Sequence, residues 1–364
     1  MDATLDRSDD WRRSAGNLAA RRRGREGVGA AVMAAKRILV CLDGTAAAEA
    51  VLPLAASIAR STGQQPVLMS AVKDDVRTPE ATKQRRWERA EYLIRSERWL
   101  RESGLPVAIA LMWGDPVSEI LRAATALDAS LIAMTTRGES ELARWALGSV
   151  ADAVLCRSVR PLLLVKRSLR APSPASPVRR ILVPLDGTEL AEAALAPAAA
   201  LAGALGASVT LVRVVPDYAC TTPGRWQTSA DGASVRRQIE QAIAYLECKA
   251  AILPASVERE CRALRGNPTV ELIALGRSVA VDLVVIASHG RTGLSRAIHG
   301  SVAVDLLAGD LPSLIVPQGA LASGLPPFGE RAARLASMRS ADRASTPGAE
   351  GIIPLKPIPP RQAS

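Results

Sequence analysis

The sequence has few aromatic residues, few histidines and no long apolar run. Aromatic side chains make up 3% of the 364 residues, although 48% of the residues are hydrophobic. A core of this composition consists mainly of Ala, Val, Leu and Ile. The chain has two histidines, His289 and His299. A metal site with several histidine ligands is therefore not expected. No apolar stretch reaches the length of a membrane span, and no secretory signal pattern is present.

Cysteine is also scarce. The five cysteines do not have the spacing of a zinc or redox motif; they are Cys41, Cys156, Cys220, Cys248 and Cys261. We predict reduced, buried thiols, as in cytoplasmic proteins. The cysteines and the missing membrane span together predict a cytoplasmic protein.

The formal net charge of +10 is not concentrated in one block. An excess of positive charge would attract nucleic acid or another polyanion. However, no aromatic stacking platform and no nucleic-acid motif accompany it. We therefore do not expect nucleic acid to be a partner.

The chain contains two copies of one ordered set of motifs. In order, the motifs and their counterparts are Ile38–Thr45 and Ile181–Thr188, Gly114–Pro116 and Gly266–Pro268, and Gly148–Ser149 and Gly300–Ser301. The first motif repeats after 143 residues and the other two repeat after 152. The second copy therefore contains about nine extra residues between its first strand and Gly266. Landmarks repeated in the same order over this length indicate a duplicated domain.

Apolar strands alternate with helices in both copies. The predicted strands lie near residues 37–42, 66–72, 107–112, 130–134, 161–166, 179–185, 207–215, 256–262, 281–286 and 312–317. The predicted helices lie near residues 46–61, 80–103, 116–127, 150–156, 189–204, 233–253, 268–277 and 301–309. This order predicts an α/β protein with two tandem doubly wound domains, each a five-stranded parallel sheet with helices on both faces. Ligands of such sheets bind beyond the carboxyl ends of the strands, where the strand order reverses.

We place the two domains at residues 36–167 and 179–319. Residues 168–178 form a linker rich in Pro and Ser. The basic arm 1–35 and the tail 320–364 have compositions that predict disorder. Because the core pattern begins just after Met33, we also consider Met33 as an alternative start to Met1.

A glycine-bearing loop follows the fourth strand of each copy. The second copy has Ala287–Gly290, nine residues, and then Gly300–Ser301, and the first has Thr135–Gly138, nine residues, and then Gly148–Ser149. Glycines let the backbone approach a ligand, and the N–H groups at a helix start favour an anion. Each loop is therefore a candidate phosphate site.

These motifs together resemble the universal stress protein (UspA-like) family, with two such domains in one chain. The resemblance covers residues 36–319 and implies the adenine nucleotide alpha hydrolase-like fold. Some members bind ATP, so the resemblance implies an adenine nucleotide, with or without Mg²⁺. It also implies a role in stress response or signalling, through contacts with protein partners that depend on the bound nucleotide. The partner itself is not indicated by the sequence.

The resemblance also implies a set of nucleotide-binding residues in each half. In the second half, Asp186 would contact the ribose, the backbone near Val214 and Val215 would meet the adenine, and the loop would hold the phosphates. The full set of the second half is Pro184, Asp186, Val214, Val215, Ala287, Gly290, Gly300, Ser301 and Val302. The set of the first half is Cys41, Asp43, Val72, Gly138, Gly148, Ser149 and Val150.

Both loops depart from the pattern of ATP-binding members, which resembles Gly-x-x-Gly, nine residues, Gly-Ser/Thr. Ala287 and Thr135 stand at the first glycine. Ala adds one methyl group, whereas a β-branched Thr is a poorer fit to close backbone approach. The first half also has Glu139 and Glu141 in its loop, where carboxylates repel a polyanion. We therefore predict that the second half holds the stronger site.

Several alternatives remain open at this stage. Asp43 and Asp186 are also suited to capping a helix. The protein could be a nucleotide-free pairing scaffold with degenerate loops. A slow ATPase is a further alternative, but no Lys follows the loop as in a Walker-type P-loop, and no paired carboxylates for Mg²⁺ are evident. We therefore predict no catalytic residues and no enzyme activity.

The resemblance further implies that domains pair through their fifth strands, which would otherwise be exposed sheet edges. Here Pro161–Lys166 and Pro312–Pro317 are the segments that would pair within one chain. A homodimer of such chains is left open.

Overall fold

The computed structural model describes residues 37–73, 79–136, 148–166, 178–216, 218–222, 225–228, 232–288, 305–306 and 311–317. The predicted arm 1–35, the tail 320–364 and the linker 168–178, except for Val178, lie outside these residues. Within the described ranges, no helix is both long and apolar enough to cross a membrane.

Within the described residues, the first half alternates five strands with four helices. The strands are β1 (Arg37–Cys41), β2 (Gln65–Val72), β3 (Ala108–Trp113), β4 (Ala129–Thr136) and β5 (Leu162–Lys166). The helices are α1 (Leu52–Thr62), α2 (Pro79–Glu102), α3 (Pro116–Ala126) and α4 (Ser149–Arg157). A 3₁₀ segment, Ala46–Val51, leads into α1.

The second half repeats this order and adds a hairpin. Its strands are β6 (Arg180–Pro184), β7 (Ser208–Val215), β8 (Tyr218–Thr222), β9 (Arg225–Thr228), β10 (Arg259–Arg265), β11 (Leu283–Ser288) and β12 (Ser313–Pro317). Its helices are α5 (Glu189–Glu192), α6 (Leu195–Leu205), α7 (Gly232–Ala250) and α8 (Pro268–Ser278). Of the helix predicted at 301–309, residues 305 and 306 are described, and they are helical.

The largest differences from the sequence prediction lie where the second half has extra residues. The strands β8 and β9 pair with each other antiparallel and form a small separate sheet between β7 and α7. This hairpin accounts for the extra residues of the second copy, but its strands were not predicted. The strand predicted at 256–262 lies at Arg259–Arg265, because Val257 is buried in the turn that precedes it.

Pro53 lies at the start of a helix and not in the interior of one. The predicted helix 46–61 is divided into the 3₁₀ segment and α1, and Pro53 lies in the first turn of α1. At this position a missing N–H group costs no hydrogen bond. The counterpart predicted at 189–204 is divided in the same way into α5 and α6.

The ten strands of the two halves form one continuous sheet, in the order β10-β7-β6-β11-β12-β5-β4-β1-β2-β3. Every pairing is parallel except that of β12 with β5, which is antiparallel and places Leu314 opposite Leu163. The predicted pairing of the fifth strands within one chain is therefore present. In each half the strand order reverses between the first and fourth strands, which is where a ligand crevice is expected.

Alternate residues of the strands face two different sets of helices. On one face, a single hydrophobic cluster extends through both halves, from Ile38 and Val40 in β1 to Ile181 and Val183 in β6. The helices α1 and α6 pack against each other on this face. On the other face there are two clusters, one mainly in each half, and Ile315 of β12 belongs to the cluster of the first half. The strand ends of the two halves therefore belong to one continuous sheet with a shared hydrophobic cluster.

Candidate functional site

A cleft of about 190 Å³ lies at the carboxyl ends of the first-half strands, at the reversal between β1 and β4. It is lined by Cys41, Leu42, Asp43, Met69, Ala71, Arg89, Pro116, Ile120, Met134, Thr135, Gly148, Ser149, Val150 and Ala151. Five of these residues belong to the set predicted for the first half: Cys41, Asp43, Gly148, Ser149 and Val150.

The Asp-Gly-Thr turn at one wall of the cleft holds a carboxylate in a fixed position. The Oδ1 atom of Asp43 accepts hydrogen bonds from the amide N–H and the hydroxyl of Thr45, at 3.1 and 2.6 Å. Gly44 has a φ of +85°, which a residue with a side chain adopts only under strain. The hydroxyl of Thr45 accepts a hydrogen bond from the amide of Ala48, at 3.3 Å, and so caps the following 3₁₀ segment.

The second half has the same turn. Asp186 accepts hydrogen bonds from the amide and the hydroxyl of Thr188, at 2.8 and 2.7 Å. The hydroxyl of Thr188 accepts from the amide of Ala191, at 3.2 Å. The alternative that the aspartates are themselves helix caps is therefore wrong, since the cap is the threonine and the aspartate positions it.

Another wall of the cleft is the start of α4. Gly148 is its N-cap residue, with a φ of +90°, and no side chain of the described residues is seen to cap this helix end. Ser149, which is also of a type that can cap a helix, is instead the first residue of α4. The first amide groups of a helix have no partner within the helix. An uncapped helix start that opens on a cleft therefore favours an anionic group there.

Apolar side chains of three elements form the floor and sides of the cleft. Met69 and Ala71 come from β2, Met134 from β4, and Ile120 from α3. The sequence reasoning missed Met69, Ile120 and Met134, although the two-residue spacing of positions 69 and 71 in an apolar strand is typical of one sheet face. Such walls suit the flat apolar faces of a heterocyclic base.

Val72, which was predicted to meet the adenine, has a buried side chain that does not line the cleft. Its carbonyl oxygen accepts a hydrogen bond from the amide of Gly114, at 3.1 Å. Gly114 has a φ of +131° and precedes Asp115, whose carboxylate caps α3 through Ser118. Gly114 therefore serves the turn into a Pro-started helix.

Arg89 was not predicted to belong to the site. Its side chain extends from α2 to the Asp-Gly-Thr turn, where its Nη1 atom donates to the hydroxyl of Ser70, at 3.2 Å. Ser70 in turn donates to the carbonyl oxygen of Leu42, at 2.7 Å. Burial lowers the pKa of the Arg89 guanidinium below its ordinary value, and the nearby carboxylate of Asp43 acts in the opposite direction. The cleft thus contains a half-buried positive charge beside a carboxylate.

Cys41 lines the cleft as a buried thiol. Burial raises its pKa to about 12, so the side chain is neutral near pH 7. A neutral thiol is a poor nucleophile and a poor metal ligand. Among the described residues, no group of three His, Cys, Asp or Glu side chains is placed to hold a metal ion.

The second-half residues that the structure describes lie at corresponding positions. Pro184 ends β6 and is followed by the turn at Asp186. Val214 and Val215 end β7, and the carbonyl oxygen of Val215 accepts from the amide of Gly266, at 3.1 Å, as Val72 does from Gly114.

The remaining predicted residues are those of the two glycine loops. Ala287 lies in β11 and is partly buried. Gly290, Gly300, Ser301 and Val302 lie outside the described residues. The same holds for Gly138 of the first half. The prediction that the second half holds the stronger site therefore stays a prediction.

The geometry agrees with a comparison to known protein families. The model of the universal stress protein family matches residues 34–166 and 177–317. The chain belongs to the universal stress protein family. Its two matched segments contain the two halves of the sheet, so this is a tandem member. The family predicted from the sequence motifs is confirmed.

Curated universal stress proteins are similar to this chain. Universal stress protein Rv2005c of Mycobacterium tuberculosis is 26% identical over 215 residues, which cover 59% of this chain and 70% of that protein. Universal stress protein MJ0531 of Methanocaldococcus jannaschii is 26% identical over 128 residues, covering 34% and 73% of the two chains. These are relatives within the family.

Solved structures of universal stress proteins have the same fold. One from Archaeoglobus fulgidus superposes with a TM-score of 0.57 at 20% identity, over 78% of this chain and 98% of that one. A putative universal stress protein from Pseudomonas aeruginosa superposes with a TM-score of 0.55 at 17% identity, over 80% and 96%. The predicted α/β fold, with tandem doubly wound domains, is confirmed.

Proposed function

We propose that this universal stress protein binds ATP or a related adenine nucleotide at the carboxyl-end clefts of its sheet. We further propose that the bound nucleotide alters its contacts with protein partners in stress response or signalling. The observation that carries the proposal is the convergence of three unlike surfaces on one cleft. These are the Asp-Gly-Thr turn, the uncapped start of α4 and an apolar wall.

Each surface suits one part of an adenine nucleotide. A carboxylate accepts hydrogen bonds from ribose hydroxyl groups, and Asp43 offers one at the cleft wall. The helix start at Ser149 provides amide donors for phosphate oxygens. The apolar side chains of Met69 and Ile120 provide contact area for the base. We infer the same division of roles for the second half.

We propose that the second half is the main site. This proposal is supported by the loop sequences. At the position where ATP-binding members have a glycine close to the ligand, the small Ala287 is a milder change than the β-branched Thr135. The carboxylates of Glu139 and Glu141 would also repel a polyphosphate from the first half. Asp186 is held by Thr188 in the same geometry as Asp43 by Thr45, so both halves retain the ribose-side turn.

Calorimetric titration of ATP into the full chain, with and without Mg²⁺, tests the proposal. Asp186→Asn is the informative variant, because the amide oxygen can still accept from Thr188 while the charge is lost. A hydrogen bond to a charged group contributes about 1.5–3 kcal/mol, so we expect ATP affinity to fall about 10- to 100-fold. We expect a smaller effect from Asp43→Asn.

The matched control is Asp115→Asn. Asp115 lies at the same edge of the sheet, and its counterpart in the second half is already an asparagine, Asn267, in the same capping role. The control should leave ATP affinity unchanged. Binding by the wild-type chain that Asp186→Asn and Asp43→Asn do not weaken would contradict the proposed site. No binding at millimolar ATP would favour the pairing scaffold instead.

A pairing scaffold is the second candidate, because the pairing of β5 with β12 joins the two halves and involves none of the proposed nucleotide-binding residues. A slow ATPase would be supported by phosphate release above background that Gly290→Asp abolishes. We do not propose catalysis.

A further inference from the structure

Both halves place a guanidinium group against the glycine of the Asp-Gly-Thr turn. A Cβ atom built on Gly44 would lie 2.5 Å from Cζ of Arg89. A Cβ atom built on Gly187 would lie 3.0 Å from Nη2 of Arg213. The two glycines correspond to each other in the repeat and have similar positive φ values, +85° and +94°. The two arginines therefore occupy the same place beside the turn.

The strand register shows that these arginines are not counterparts in the repeat. Cys41 lies opposite Met69, whereas its counterpart Pro184 lies opposite Val212. The position one residue further along each partner strand is Ser70 in the first half and Arg213 in the second. The guanidinium of the second half therefore comes from a strand position that carries a serine in the first half.

At the helix position that supplies Arg89 in the first half, the second half has no arginine. Tyr92 and Tyr245 occupy corresponding positions, each followed by a fully buried leucine in α2 and α7. Three residues earlier stand Arg89 in the first half and Ala242 in the second. Ala242 is buried, with 2% of its surface exposed, so the second half uses the smaller residue at the helix position and the larger one at the strand position.

Each guanidinium is held in place by its own surroundings. Arg89 donates to the hydroxyl of Ser70, at 3.2 Å. Arg213 lies over the ring of Tyr245, with Cζ 4.9 Å from the ring centroid. The hydroxyl of Tyr245 donates to Oε1 of Glu192, at 2.9 Å. The same group is thus delivered to the turn by two different arrangements of side chains.

We propose that this guanidinium is a positioning and specificity element of each site, supplied by Arg89 in the first half and by Arg213 in the second. It keeps the Asp-Gly-Thr turn in place and favours a phosphorylated adenine nucleotide over the uncharged nucleoside. This inference rests on the proposed nucleotide site. The physical reason is that the phosphates of a nucleotide enter the same cleft as the turn carboxylate, and a positive charge beside that carboxylate offsets the repulsion between them.

A residue that only fills space beside the glycine would not distinguish ligands by charge. Comparing ATP with adenosine therefore separates the two roles. The double variant Arg213→Ser with Ala242→Arg moves the arginine from the strand to the helix and so gives the second half the arrangement of the first. It tests whether a guanidinium beside the turn is sufficient, whichever element supplies it. Arg180→Ala is the matched control, since it also removes an arginine charge, but at the start of β6, the end of that strand remote from the turn.

The experiment uses the full chain and measures ATP and adenosine affinities, together with hydrogen exchange of the Thr188 amide without ligand. For Arg213→Ser we expect about tenfold weaker ATP binding, an adenosine affinity within about twofold of wild type, and faster exchange at Thr188. The double variant should restore all three values. Arg180→Ala should change none of them.

Equal losses for ATP and adenosine, or a double variant no better than Arg213→Ser, would overturn the specificity role. If the wild-type chain binds neither ligand, the proposed function fails. Hydrogen exchange of the Thr188 amide then tests the positioning role of the guanidinium by itself. Faster exchange in Arg213→Ser that the double variant reverses would then support the positioning role. Unchanged exchange at Thr188 would overturn it.

Discussion

The carboxylate of Asp186 holds Thr188 by two hydrogen bonds, one to its amide at 2.8 Å and one to its hydroxyl at 2.7 Å. That hydroxyl then accepts from the amide of Ala191, at 3.2 Å, and caps α5. The same relation joins Asp43 and Thr45. One short turn therefore both begins a helix and fixes a carboxylate at the edge of the site.

Removing the hydroxyl from this turn should destabilise the protein modestly. Loss of an N-cap side chain costs about 0.5–2 kcal/mol, so Thr188→Ala should lower the free energy of unfolding by about 1 kcal/mol. Thr188→Ser keeps the hydroxyl and should be close to neutral. Urea unfolding of the three proteins measures the difference. Equal stabilities of Thr188→Ala and wild type would show that the cap contributes nothing.

The contact between the two halves should be important for stability. Leu314 of β12 is fully buried and lies opposite Leu163 of β5. Leu314→Ala leaves a cavity at this junction and should cost about 2–5 kcal/mol. The exposed Ile252, with 53% of its surface accessible, offers a control, because Ile252→Ala should cost little.

Thermal unfolding of the wild-type chain tests the same junction. Because one hydrophobic cluster extends through both halves, we expect a single cooperative transition that Leu314→Ala moves to lower temperature. Two well-separated transitions in the wild-type protein would contradict a shared core.

Most of the sheet could be predicted from the sequence because its strands are continuous apolar runs between turn residues. The junction of β5 and β12 was predicted from the family resemblance, which implies that domains pair through their fifth strands, the otherwise exposed sheet edges. The position of β10 was less well predicted, since its charged residues, such as Arg259 and Glu260, interrupt the apolar pattern of an edge strand. The hairpin of β8 and β9 has no counterpart among the described residues of the first half, so the repeat gave no guide to it.

The site was predicted in part for a similar reason. Asp43 and Gly148 stand in repeated motifs, whereas Arg89 is one of several arginines in α2. Nothing along the chain distinguishes it from its neighbours, because its role depends on residues that adjoin it only after folding. Arg89 and Arg213 also stand at different positions of the repeat, so comparing the two copies does not align them. For this reason neither arginine was predicted from the sequence.

Acid should affect the first half through the cap of α3. The amide and hydroxyl of Ser118 donate to Asp115 and hold the pKa of its carboxyl below the ordinary value of 3.8. A lowered folded-state pKa contributes stability above the ordinary value, and this stability is lost as the pH falls below it. The free energy of unfolding of wild type should therefore fall more steeply below that pH than that of Asp115→Asn.

The second half offers the reciprocal test of this cap. Asn267 occupies the same position with hydrogen bonds to the amides of Thr269 and Val270, and an amide side chain does not titrate. Asn267→Asp should add a further acid-sensitive contribution. Urea unfolding at a series of pH values measures both effects, and parallel pH profiles for all three proteins would refute them.

The thiols should differ sharply in reactivity. Cys41 is buried, and its pKa is raised to about 12, whereas Cys248 is exposed. The thiolate is the reactive form, so iodoacetamide at neutral pH should modify Cys248 well before Cys41. Peptide mapping by mass spectrometry gives the order, and denaturant should make Cys41 reactive. Equally fast modification of both in the folded protein would show that the Cys41 site opens readily.

Equilibrium dialysis of the full chain against labelled ATP measures most directly whether this universal stress protein binds a nucleotide. We predict saturable binding of about one ATP molecule per chain, mainly in the second half and displaced by unlabelled ATP. The absence of saturable binding at millimolar ATP would contradict the proposal. The clefts at the sheet edge would then belong to a pairing scaffold.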